Sequence, residues 1–354
     1  MKQENMYCWQ MSQVNEPFQR MEKALPEPGA GEVLIKVAGC GVCHTDLSFW
    51  HDGVKTRHEL PLTLGHEISG VVVAGEDEWI DKPVIVPAVL PCGECHFCRQ
   101  GRSNICRNQL MPGNDFDGGF ASHVKVPAKF LCPVPEDMLQ HFPLSHLAVV
   151  ADAVSTPYQV VEKSELQAGD FAIVIGVGGI GTYGAQIARV KGATVLALDI
   201  SEEKLDLVKT AGIDATLNVS GMDVKHVKTR VREIARELNA PSVGWKVFEM
   251  SGTKPGQELA FNLLTFGSTL SVVGFTMDKV EIRLSNLMAF DAKAIGTWGC
   301  KAELYPEIVK LIGEEKIRIT PFIQTLPLSR INEVFQDTLN HRYLKRTILV
   351  PEEY

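Results

Sequence analysis

The stretch Phe171-Ala-Ile-Val-Ile-Gly176-Val-Gly178-Gly179-Ile180-Gly181 constrains the fold more than any other part of the chain. An apolar run suited to a buried strand meets a glycine cluster, and a helical pattern follows over residues 180–191. A second apolar run at 194–198 is closed by Asp199. In such a unit Gly176 permits the tight turn, Gly178 lets the backbone approach a pyrophosphate, and Gly181 allows the helix to pack close to the strand. Gly179 and Ile180 lead into a helix whose N-terminus stabilises the phosphate charge. Glycine spacing alone also serves plain structural turns. Here a strand precedes it, a helix follows it, and an acid ends the next strand, all within 29 residues from Phe171 to Asp199, the size of a βαβ unit. The Asp199 carboxylate can accept from both ribose hydroxyls and repels a 2′-phosphate, which favours NAD over NADP. Lys204, one turn into the next helix, reads either as a contact to the adenosine ribose or as an ordinary surface lysine.

Further apolar runs at 246–250 and 269–274 continue the alternation, which calls for a parallel sheet. The segment 224–238, rich in Lys, Arg and Glu, reads as a solvated surface helix. Upstream, short β-rich runs such as Val33-Leu34-Ile35-Lys36-Val37 alternate with Gly/Pro turns, as expected of a β-rich body. Near Phe290 the alternation stops, and a helix over 304–313, Pro-rich turns and a strand at 346–350 are expected to return to the first body. A chain of 354 residues exceeds what one core usually organises. The expected division is 1–152, 153–290, and a return segment 291–354.

Four of the nine cysteines, Cys92, Cys95, Cys98 and Cys106, fall within fifteen residues. Four thiolates in one compact loop fill a tetrahedron and leave no open position, which predicts a structural zinc site. His96 and His123 are competing ligands in principle. A redox CxxC pair is the alternative, and it leaves the third and fourth cysteines unexplained. Cys8, Cys40, Cys132 and Cys300 read as small buried apolar residues. Cys43, in Gly41-Val-Cys43-His44-Thr45-Asp46, and His66, in Gly65-His66-Glu67, each sit at a turn after an apolar run. Taken singly, a Cys or a His in such a place is more often core than ligand.

Taken together and in order, the glycine-flanked Cys43, the Gly65-His66-Glu67 triplet, the four-cysteine lobe and the Gly176 fingerprint resemble the zinc-containing medium-chain alcohol dehydrogenases over essentially the whole chain. The resemblance implies a GroES-like β-rich catalytic domain joined to a Rossmann domain with a doubly wound parallel sheet. It further implies NAD, two zinc ions per chain, and a small-molecule alcohol or ketone as substrate. By that match the catalytic zinc takes Cys43, His66 and Asp152, where many relatives carry cysteine in place of the aspartate; a helix N-cap is the other reading of Asp152. Thr45 would pass on the proton of the substrate hydroxyl, His44 would lie near the cofactor pyrophosphate, and Glu67 would support the ligands or replace one of them. The relay histidine of many relatives is replaced here by Ser48, and His51 is the nearest substitute. Within the family, Asp152, the short loop after Gly75 and the Pro87–Pro91 run resemble the 6-hydroxycyclohex-1-ene-1-carbonyl-CoA dehydrogenases of anaerobic aromatic degradation. That likeness implies a CoA thioester substrate, with Lys55, Arg57 and His58 as candidate phosphate contacts. A CoA-free alcohol or polyol, or a zinc-independent enoyl or quinone reductase on the same scaffold, are the alternatives. The family is usually dimeric or tetrameric.

The charge balance, 35 basic against 43 acidic side chains for a net −8, argues against nucleic acid and anionic membranes as partners. No basic-then-apolar leader and no run of about 20 apolar residues is present, so a cytoplasmic location is expected.

Overall fold

The computed structural model describes residues 5–352, which divide into two compact units. Unit 1 comprises residues 1–155, 299–313 and 319–354, and unit 2 comprises 156–298 and 314–318.

Unit 1 begins with β1 (Asn5–Met11), β2 (Gln19–Ala24) and β3 (Glu32–Gly41), followed by helix α1 (His44–Trp50). Then come β4 (Leu62–Thr63), β5 (Glu67–Gly75), β6 (Pro83–Val86), the short helix α2 (His96–Arg99), β7 (His123–Pro127) and β8 (Cys132–Pro133). The alternation in β3 turns Val33, Ile35 and Val37 into a core shared with Leu62, Ile68, Val72 and Phe120. Each such buried side chain contributes about 1.5–3 kcal/mol. β3 pairs antiparallel with both β5 and β7, and two register shifts interrupt the β3–β5 ladder. The expected short loop after Gly75 is a single 3-10 turn, Asp77–Trp79, and β6 keeps the strand that leads to the cysteine lobe.

Unit 2 opens with α3 (Ser155–Lys163) and continues as β9 (Phe171–Ile175), α4 (Gly181–Val190), β10 (Thr194–Asp199), α5 (Glu202–Lys209), β11 (Ala215–Asn218), α6 (Val224–Glu237), β12 (Lys246–Glu249), α7 (Lys254–Asn262), β13 (Thr269–Val272), α8 (Ser285–Ala289) and β14 (Lys293–Gly296). The six strands form one parallel sheet in the order β11-β10-β9-β12-β13-β14. Every residue of β9 is buried, as a central parallel strand covered on both faces requires. The chain runs outward from β9 to β11, then restarts beside β9 at β12. The carboxyl ends of β9 and β12 therefore form the switch point where ligands of such sheets bind.

The alternation runs one strand past the expected stop near Phe290. β14 belongs to the sheet although three of its four residues are exposed, so it carries no apolar run to betray it. The return to unit 1 starts at 299, and the five residues 314–318 cluster with unit 2. The return contributes α9 (Tyr305–Gly313), β15 (Ile323–Pro327), α10 (Ile331–Leu339) and β16 (Arg346–Val350). β16 pairs with β15 in parallel and with the end of β3 in antiparallel fashion, completing a seven-stranded sheet.

Candidate active site and metal centres

Two donor clusters stand out among the described residues, and both lie in unit 1. In the first, Cys43, His66, Glu67 and Asp152 present ligand atoms all within 4.8 Å of one another. Asp152 Oδ2 is 3.8 Å from Cys43 Sγ and 3.7 Å from His66 Nε2. Bond lengths of about 2.0–2.3 Å put tetrahedral edges at roughly 3.3–3.8 Å, so the two edges from Asp152 are in the range of a zinc tetrahedron.

Local sequence explains each placement. Cys43 caps α1, and the third residue of the helix, Asp46, reaches back to accept the Cys43 amide at 2.9 Å. Gly65 adopts φ +100°, and a Cβ there would meet Cys40 Sγ at 2.7 Å and the Phe120 amide nitrogen at 3.0 Å; only glycine lets the chain turn here to deliver His66. Asp152 ends the 3-10 segment Leu144–Ala151 at φ −145° and ψ −54°. It stands at the end of that turn, three residues before α3 begins.

Two charged residues that the sequence did not single out complete the site. Asp46 is fully buried, accepts the Gly65 amide at 3.2 Å, and places Oδ1 3.3 Å from His66 Nδ1. The Asp46 carboxylate thus faces the Nδ1 side of the ring, and Asp152 faces the Nε2 side. Burial opposes a charge on His66, yet Asp46, Asp152 and Cys43 together raise its imidazole well above the ordinary range. The four groups thus form a pocket built to receive a cation. Arg346, from β16, grips both oxygens of Glu67, with Nε 3.1 Å from Oε2 and Nη2 in contact with Oε1. Burial pushes the Glu67 carboxyl up, while the Arg346 guanidinium pulls it down. Glu67 is thus paired with Arg346 while an oxygen of its carboxylate stays among the four donor atoms of the cluster, and zinc held by Cys43, His66 and Asp152 alone would keep a fourth position open. An open position is what separates a catalytic from a structural zinc site.

The remaining site residues fall as follows. Thr45 Oγ1 lies 3.7 Å from Cys43 Sγ, beside the cluster. The Ser48 hydroxyl donates to the His44 carbonyl at 3.0 Å, and His51, exposed at the end of α1, places Nδ1 2.7 Å from Asn15 Oδ1. Both relay candidates are committed to partners of their own. The exposed His44 ring stacks on His341 with centroids 6.2 Å apart.

In the second cluster four of the six sulfur–sulfur distances among Cys92, Cys95, Cys98 and Cys106 are 3.5–4.0 Å and all lie within 4.8 Å, which matches four thiolates around one zinc ion. Backbone amides point at them: Cys95 donates to Cys92 Sγ at 3.4 Å, and Asn108 donates to Cys106 Sγ at 3.3 Å. The amides of Cys98 and Arg107 lower the Cys95 thiol to about 6. Neither His96 nor His123 joins the four-sulfur group. Cys8, Cys40, Cys132 and Cys300 are buried free thiols.

In unit 2 the glycine turn has the expected geometry. Gly176 adopts φ +84°, and a Cβ on it would collide with Ser251 at 2.6 Å. A Cβ on Gly181 would lie 1.8 Å from the Gly176 carbonyl oxygen, whereas one on Gly178 would meet nothing within 4 Å. Gly178 thus faces open space, the side a pyrophosphate needs. Gly179 and Ile180 are half-buried at the start of α4. The Asp199 carboxylate accepts the Val177 amide at 2.8 Å and the Ser201 amide at 3.0 Å, tying the glycine turn to the end of β10. Lys204 is half-buried on α5. Glu249, fully buried at the end of β12, accepts the Ser251 amide at 2.8 Å and the Gly252 amide at 3.2 Å, which fixes the loop facing Gly176.

Two family profiles match the chain: the alcohol dehydrogenase GroES-like domain over residues 29–136 and the zinc-binding dehydrogenase domain over 179–314. An alcohol dehydrogenase of Geobacillus stearothermophilus is 31% identical over 317 residues, covering 88% of this chain and 89% of that protein. Among solved structures, the alcohol dehydrogenase of the archaeon Aeropyrum pernix superposes with a TM-score of 0.85 at 29% identity, covering 98% of this chain and 100% of that one. Galactitol-1-phosphate dehydrogenase of Escherichia coli does so at 0.86 and 25%, covering 98% and 100%. This chain belongs to the zinc-binding alcohol dehydrogenases. It is an oxidoreductase acting on a small-molecule alcohol, with a GroES-like unit and a Rossmann unit.

Proposed function

We propose that the protein is an NAD-linked dehydrogenase that interconverts a secondary alcohol and a ketone at a Cys43/His66/Asp152 zinc site. The observation that carries this reading is the Cys43/His66/Asp152 donor set, in a cluster whose further carboxylate, Glu67, is paired with Arg346. When bound, zinc supplies a Lewis acid for the substrate oxygen and NAD accepts the hydride. The chain's own residues do the rest. Thr45 accepts the substrate hydroxyl proton as its own hydroxyl proton passes on to solvent; Asp46 keeps the His66 ring oriented; His44 hydrogen-bonds the cofactor pyrophosphate. The Gly176–Gly181 turn and the N-terminus of α4 receive the pyrophosphate, Asp199 selects the unphosphorylated ribose, and Lys204 lies on the ribose side. A cytoplasmic setting suits a chain whose nine cysteines are all free or grouped for metal; no described helix is long and apolar enough to cross a membrane.

For the substrate, the Asp152 ligand and the short loop after Gly75 support a ring alcohol carried as a CoA thioester, 6-hydroxycyclohex-1-ene-1-carbonyl-CoA. Of the basic residues near the first ligand, Arg57 already pairs with Asp115 at 3.2 Å and the His58 ring contacts the Glu59 carbonyl, which leaves the exposed Lys55 as the candidate phosphate contact. A spectrophotometric screen of NAD reduction over simple alcohols, polyols and hydroxyacyl-CoA thioesters tests this. The thioester is expected to give the highest kcat/KM, and a polyol or simple alcohol that surpasses it removes the CoA assignment. In the same assay Asp199→Asn is expected to raise KM for NAD by about 10-fold or more, since hydrogen bonds to charged groups contribute about 1.5–3 kcal/mol, and to narrow the preference over NADP. An unchanged NAD/NADP ratio would remove Asp199 as the selector.

A homodimer is the proposed assembly. β14 is an edge strand, and the exposed Met277, Leu284 and Met288 lie on the chain leading to it, so a second copy aligned along that edge would cover both. Light scattering is expected to give twice the chain mass or a multiple of it; a monomer at micromolar concentration would exclude this pairing.

A further inference from the structure

The carbonyl of Ala151, one residue before Asp152, is the acceptor of a buried polar group that none of the chemistry above uses. The Tyr305 hydroxyl donates to it, the Ser155 hydroxyl lies 3.1 Å from it, and the Ala88 amide donates to it at 3.3 Å. Ser155 Oγ is also 3.2 Å from the Tyr305 hydroxyl, so the two side chains and the carbonyl form a closed triangle. Both side chains are fully buried. Burial pushes the Tyr305 phenol well above its usual range, so the hydroxyl stays a donor.

A buried hydroxyl needs some partner, and any free carbonyl would meet that need. The choice of this carbonyl has a geometric consequence. The Ala151 carbonyl and the Asp152 amide belong to one rigid peptide plane. At Asp152 the chain leaves its 3-10 turn, so the orientation of that plane sets where the Asp152 Cβ points. The side chain has only two further rotations with which to reach Cys43 and His66. Tyr305 arrives from α9, in the returning segment of unit 1, about 150 positions downstream in the chain.

We propose that Tyr305, assisted by Ser155, is a positioning residue for the catalytic metal: its grip on the Ala151 carbonyl fixes the peptide plane that aims the Asp152 carboxylate at Cys43 and His66. This rests on Asp152 being the third ligand. Outer partners of metal ligands typically hold about 10–100-fold in metal affinity, and that is the effect expected of losing the hydroxyl.

The test uses the holoenzyme and Tyr305→Phe, which keeps the ring and removes only the donor. Zinc release to a chromogenic chelator is followed, with the four-cysteine ion as internal control. Release of the catalytic ion is expected to accelerate about 10–100-fold while the control phase stays at the wild-type rate. With cobalt(II) in the catalytic site, the absorption bands are expected to shift in position. Equal acceleration of both phases with a wild-type cobalt spectrum would mark a purely structural role and overturn the proposal, as would wild-type release. Asp152→Asn separates this failure from that of the ligand assignment: retention of the catalytic ion in Asp152→Asn removes the assignment itself. Should Tyr305→Phe give no folded protein, Ser155→Ala takes its place in the same two measurements: selective release with a shifted spectrum supports the proposal, and equal or wild-type release overturns it.

Discussion

Replacing His66 with Ala is expected to leave one zinc ion per chain where the wild-type protein holds two, and to lower kcat/KM about a thousandfold. His66 is the one neutral donor of its set, and without it Cys43 and Asp152 are too few to keep the ion. The metal's Lewis acidity supplies several kcal/mol to the transition state, and at about 1.4 kcal/mol per tenfold that is on the order of 10³ in rate. The two units give the control. NAD affinity, which depends on the Gly176 turn in unit 2, is expected to stay at the wild-type value. Elemental analysis, steady-state kinetics and a cofactor titration on one preparation suffice. Two ions per chain with unchanged turnover would remove His66 as a ligand, and one ion per chain with unchanged turnover would end the zinc mechanism and favour the metal-independent reductase reading.

The second large effect concerns stability. Cys95→Ser removes one of four sulfurs from a lobe whose sides are mostly loop: α2 has four residues, and a 3-10 turn, Ser103–Ile105, is the other regular element before Cys106. Cys92, Cys95 and Cys98 are all only half-buried, so the lobe has little apolar burial to fall back on. Zinc is its core, and in sites of this kind metal binding is folding free energy. We expect the variant to lose the structural ion, to become cleavable by protease between Cys92 and Cys106, and to melt about 10 °C or more below wild type, on a scale of roughly 2–4 °C per kcal/mol. Wild-type melting with three sulfurs would mean that the cluster stores no stability.

The dinucleotide turn and the cysteine lobe were legible because their chemistry is local. A strand, three glycines and an acid fall within one βαβ unit, and four thiols fall within one loop. Asp152 was legible only through the family's motif order, since nothing in its immediate sequence distinguishes a ligand from a cap. Arg346 was not legible: it lies 279 positions from Glu67, and beside Lys345 at the start of β16 it looks like an ordinary surface cation. Asp46 was hidden in plain view, as an acid in the first turn of a helix looks like an ordinary cap partner. β14 was missed for the opposite reason, because an exposed edge strand lacks the apolar run by which strands are found.

The interrupted layout of unit 1 has a consequence for the order in which the protein is made. Unit 2 is one continuous stretch apart from residues 314–318, so its sheet is complete on the ribosome while the C-terminal sequence is still unwritten. The metal-binding unit has every candidate zinc ligand by residue 152 but waits for β16, translated after the whole of unit 2, to cover the end of β3 and to bring Arg346 to Glu67. Until then the buried Glu67 carboxylate has no guanidinium to balance it. The order of synthesis therefore leaves this carboxylate beside the candidate zinc ligands without its counter-charge until β16 has been made, and a ribosome stalled shortly before Arg346 would hold a chain with a finished cofactor fold and an unbalanced metal site.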